Sequence, residues 1–80
     1  MIVLYFYFPD DKRFPSGRPV MCHSVTRVDI PLIDSELAAK YLEVSKEYTV
    51  DYSEIFDLHT KVYLKEFPGI EFNSLVFEKE

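Results

Sequence analysis

Cys22 and His23 are the first neighbours along the chain that offer covalent chemistry, a thiol nucleophile beside an imidazole base. Consecutive residues of a strand point to opposite faces, so the two cannot serve each other as a dyad. A pairing of Cys22 with His59 is geometrically open, but no spacing supports it. Lone cysteines commonly behave as small buried hydrophobes, so Cys22 is expected in the core. His59 is expected to be a partly buried histidine within an apolar helical stripe. Residues 22, 23 and 59 show no metal-ligand spacing, and neither an EF-hand loop nor H-E-x-x-H occurs. Gly17 and Gly69 stand alone, so no phosphate-binding loop is formed, and no G-x-S-x-G is present. The expectation is a non-catalytic protein with no cofactor.

Two other groupings carry a binding chemistry. The first is acidic. Residues 1–33 hold four cations against three carboxylates, a net of +1, whereas residues 34–80 hold five lysines against eleven carboxylates, a net of −6. Glu36, Glu43 and Glu47 share one side of a helix by their spacing, and Asp51, Glu54 and Asp57 follow. Such a surface suits a basic protein partner and disfavours nucleic acid and anionic lipid. The second grouping is aromatic and basic. Tyr5 and Tyr7 with Lys12, Arg13, Phe14 and Arg18 resemble a platform on which single-stranded nucleic acid stacks. Overall acidity and the lack of an RNP-like sequence count against it.

The elements that must position these residues follow from pattern. Eighty residues make one domain, 1–80, without repeats or low-complexity stretches. Ile2–Phe8 is apolar on both parities, as in a central strand, and Pro9 ends it. Val20–Ile30 reads as an edge strand stopped by Pro31. No Gly or Pro occurs from Asp34 to Phe67. Asp34 or Ser35 can cap a helix, and Leu37, Tyr41, Val44 and Tyr48 form a stripe. Asp51-Tyr52-Ser53-Glu54 looks like a capping box for a second stripe of Tyr52, Ile55, Phe56, His59, Val62 and Tyr63. Two helices are predicted, about 35–48 and 52–66, in preference to a single long one. Pro68-Gly69 ends them, and Ile70–Phe77 is the last strand. The predicted fold is α+β, ββααβ, with a three-stranded antiparallel sheet in order 2-1-3 and both helices on one face. The other face then lacks a cover, which suggests a homodimer or another partner.

One cysteine cannot close an internal disulfide, and Ile2–Phe8 has no basic leader and is too short to span a bilayer. A cytoplasmic protein without a membrane segment is expected. Small acidic cysteine-poor chains are common among phage and mobile-element accessory proteins. The composition therefore points to a protein-binding module, in its sharpest form an inhibitor or modulator of a nucleic-acid-handling enzyme. The alternatives are single-stranded nucleic-acid binding and a structural subunit of a larger complex.

Overall fold

Glu47-Tyr48-Thr49-Val50-Asp51 alternates polar and apolar residues, and Thr49 and Val50 are β-branched. In the computed structural model, which describes residues 12–56 and 59–79, this stretch opens the longest strand. The elements run β1 (Pro19–Met21), α1 (Leu32–Tyr41), β2 (Glu47–Ile55), β3 (Thr60–Leu64) and β4 (Phe67–Asn73), followed by a 3-10 helix (Ser74–Phe77). Among the described residues the sheet has four strands, in order β1-β2-β3-β4, and every pair is antiparallel.

The register carries two irregularities. Val50 pairs with Leu64 but Tyr52 pairs with Tyr63, so Asp51 is an extra residue on β2. A bulge of this kind re-aims the side chains beyond it. Tyr48, Val50 and Ser53 face the core, and Tyr52 turns away from it. On β4, Pro68-Gly69 falls between Phe67, opposite Leu64, and Phe72, opposite Val62. Proline cannot join a ladder, and Gly69 takes φ +80°, which a side chain rarely tolerates.

α1 begins at Pro31, whose carbonyl accepts from Asp34 N and Ser35 N at 3.0 Å each. Asp34 lies in the first turn, where its charge complements the helix dipole, and makes no side-chain cap. Leu42 turns extended and ends the helix. Ser45 then takes φ 71°, the left-handed conformation that closes the turn into β2. α1 lies against β4, where the Tyr41 ring meets Phe67 at 5.4 Å and Phe72 at 6.3 Å. Between helix and sheet sit Ala38, Leu42, Val50, Val62, Leu64, Phe72, Val76 and Phe77, with Phe14 edge-on to Phe77 at 6.3 Å.

The domain is α+β, but the predicted ββααβ arrangement is overturned. Among the described residues there is one α-helix rather than two, and there are four strands rather than three in order 2-1-3. The stretch predicted as helix 52–66 is strand: β2 ends in it and β3 follows. Glu47 and Tyr48 leave the first helix for β2. The predicted strand 20–30 keeps only its start. From Ser24 the backbone turns, held by Thr26 N on Ser24 Oγ (3.2 Å) and Ile30 N on Arg27 O (3.2 Å). The predicted strand 70–77 ends at Asn73, whose Oδ1 accepts from Leu75 N and starts the 3-10 helix. The Ile2–Phe8 strand lies outside the described residues, as do Tyr5, Tyr7 and Asp57.

Candidate functional site

The turn from Arg27 into α1 brings Val28, Leu32 and Ile33 into solvent. Val28 is fully exposed, Leu32 74% and Ile33 76%. Side chains on either side of them brace the turn. Arg27 grips Asp29 through two bonds of 2.8 and 2.7 Å and reaches the carbonyls of Leu75 and Glu78 at 3.2 and 3.0 Å. Ser35 Oγ donates to the Val25 carbonyl. A hydrogen-bonded turn that presents three aliphatic side chains is unlike a scatter of single exposed hydrophobes.

Beside Ile33 a groove of about 300 Å³ runs between the start of α1 and the ends of β3 and β4. Pro31, Ile33 and Phe72 give it apolar walls, and Asp34, His59, Lys61, Glu71 and Asn73 give it polar ones. Asn73 Nδ2 donates to Asp34 Oδ2 at 3.2 Å. Lys61 Nζ pairs with Glu71 Oε2 at 2.7 Å, and Tyr63 Oη donates to Glu71 Oε1 at 3.0 Å. The Lys61 bond holds the Glu71 carboxyl below its ordinary range. Tyr63 is pushed well above the ordinary phenol range, first by burial and then by its bonds to Glu54 and Glu71.

The five acidic candidates among the described residues do not form one helical face. Glu36 is exposed on α1, Glu43 in the turn after it and Glu47 at the start of β2. Glu43 lies 3.9 Å from Lys46. Asp51 is the bulge residue, half-buried, and Glu54 is half-buried beside Tyr63. The basic loop is likewise divided. Lys12 and Arg18 are exposed, whereas Arg13 pairs with Glu78 at 2.7 Å and Phe14 is buried in the core, closed to any stacking base.

An aromatic pair that pattern reasoning missed lies on the side of the sheet away from α1, with Tyr52 exposed over a buried Tyr63. Tyr52 and Tyr63 stack with centroids 4.3 Å apart and planes 11° apart, being direct partners across β2 and β3. Lys61 sits 4.7 Å over the Phe56 ring. Two carboxylates, Glu54 and Glu71, share this side with Lys61, a poor balance for phosphate. The signal for it is the alternation of Tyr63 with Val62 and Leu64, which fits a strand and not a helical stripe.

Cys22 is fully buried, and burial pushes its thiol up, against a smaller pull from a Ser24 backbone bond. His59 is exposed rather than partly buried in a stripe, because it precedes a strand and not a helical turn. Among the described residues no three of His, Cys, Asp and Glu gather as metal ligands, and no helix is long and apolar enough to cross a membrane. Compared with protein families, curated proteins and solved structures, the chain finds no match.

Proposed function

We propose that the chain is a non-catalytic protein-binding module that docks through Val28, Leu32 and Ile33. The observation that supports this reading is the exposure of three large aliphatic side chains on one well-anchored turn. Burying each yields about 1.5–3 kcal/mol, so the three yield roughly 5–9 kcal/mol in gross terms. Association costs roughly 4–15 kcal/mol in lost freedom and ordering. The ridge alone is therefore a modest anchor, and the surrounding charges set rate and specificity. The chain's net charge of −5 favours a partner whose surface is basic.

The test is capture of partners by wild type and by the double variant Leu32→Asp, Ile33→Asp, with circular dichroism to check the fold. Both side chains are exposed, so the variant should fold and lose its partner. A variant that retains every partner of the wild type refutes the reading. The nucleic-acid alternative makes a different forecast: oligonucleotide binding at low salt, falling steeply as salt rises.

A further inference from the structure

We infer that the partner offers the ridge a segment pairing an aliphatic side chain with a neighbouring lysine or arginine, the cation's stem lying in the groove beside Ile33. This rests on the docking reading above and names the chemistry that the surface selects. Leu32 and Ile33 stand four and three residues before Glu36, so the three are neighbours on the helix surface. The charges around them do not balance. Arg27 is drawn onto Asp29, and Lys61 onto Glu71. Lys40, next along the helix, lies 5.5 Å over the Tyr41 ring. Among the described residues no cation pairs with Asp34 or Glu36. Asp34 accepts one bond, from Asn73 to Oδ2, and keeps Oδ1 for another donor.

The groove suits a long side chain with a cationic end. Pro31, Ile33 and Phe72 cover a hydrocarbon stem, and Asp34 stands at the same groove to meet the charge. A carboxylate-bearing segment would meet Asp34 and Glu36 as like charges. A purely apolar one would partly desolvate the Asp34 carboxylate and leave its second oxygen without a donor. Both are disfavoured relative to the aliphatic-plus-basic segment.

Random linear peptides displayed on particles, panned on the full chain and counter-selected on Leu32→Ser, Ile33→Ser, test this directly. The expected consensus holds an aliphatic residue and a Lys or Arg close to it. A synthetic peptide of that consensus should weaken with added salt. It should lose about fivefold in affinity against Asp34→Asn, which keeps the acceptor for Asn73 while removing the charge. Enrichment of acidic or purely apolar peptides, or an affinity unchanged by Asp34→Asn, overturns the inference and leaves ridge docking standing. A native partner that cross-links away from residues 28–33 overturns the docking reading itself.

Discussion

Leu64 and Leu32 make a controlled pair, one chemistry in two environments. Leu64 is fully buried in β3, opposite Val50, and Leu32 is 74% exposed on α1. Truncation to alanine removes three carbons. At about 0.8 kcal/mol for each, the lost transfer energy is roughly 2.4 kcal/mol. The cavity adds to this, bringing the expected cost of Leu64→Ala to about 3–4 kcal/mol. An 80-residue domain has roughly 4–12 kcal/mol of stability in all. The variant should therefore melt about 12–30 °C lower, at roughly 4–8 °C per kcal/mol. Leu32→Ala should change stability by less than about 0.5 kcal/mol. Urea unfolding followed by circular dichroism gives both values, provided the slope is unchanged. The comparison also separates strand from helix, because Leu64 lies outside the helical stripe of Tyr52, Ile55, Phe56, His59, Val62 and Tyr63. A Leu64→Ala cost below about 1 kcal/mol would refute the strand packing.

Gly69→Ala meets nothing within 4 Å, so its cost is the backbone's alone at φ +80°, about 1–2 kcal/mol by urea unfolding. Folded Tyr63 holds its proton more tightly than the unfolded chain does, so its contribution is complete below about pH 10 and is lost as pH rises beyond it. Tyr63→Phe should accordingly lose less stability than wild type between about pH 9 and 11, and equal losses would contradict the burial of that hydroxyl. Deleting Asp51 should leave a folded protein with a regular β2–β3 register, because Val50 and Ser53 still face inward and Tyr52 outward. Loss of the cooperative transition in that deletion would show that the bulge is needed for the sheet.

The misreading of residues 47–66 has a physical cause in that same bulge. One extra residue breaks the two-residue period, and Tyr48, Tyr52, Ile55 and Phe56 then fall at spacings of four, three and one, which imitate a helical stripe. The turn before β2 gave no warning, since its left-handed residue is Ser45 and not glycine. Thr49 and Val50 were the true signal: poor helix formers at a supposed helix break are good strand formers at a strand centre. Cys22 was legible because a lone cysteine without a disulfide partner or metal-ligand spacing commonly packs as a small hydrophobe, and it is buried. The exposed ridge was not legible, because "VDIPLI" has the composition of core and only the turn at Arg27–Ile30 puts Val28, Leu32 and Ile33 outside while Ile30 stays buried. Nothing in local sequence reports the hydrogen bonds from Arg27 to Leu75 and Glu78 that fix that turn.

The order of the strands also governs how the chain finds its structure. β3 and β4 meet across two residues, Lys65-Glu66, whereas Met21 meets Glu47 only after the intervening 25 residues, α1 among them, are closed into a loop. On a logarithmic closure law that longer loop costs about 2 kcal/mol more. The β2–β3–β4 meander is thus the natural nucleus, and β1 with its loop joins a sheet already assembled. Weakening Val62 should slow folding, while weakening Val20 should speed unfolding and leave the folding rate nearly untouched.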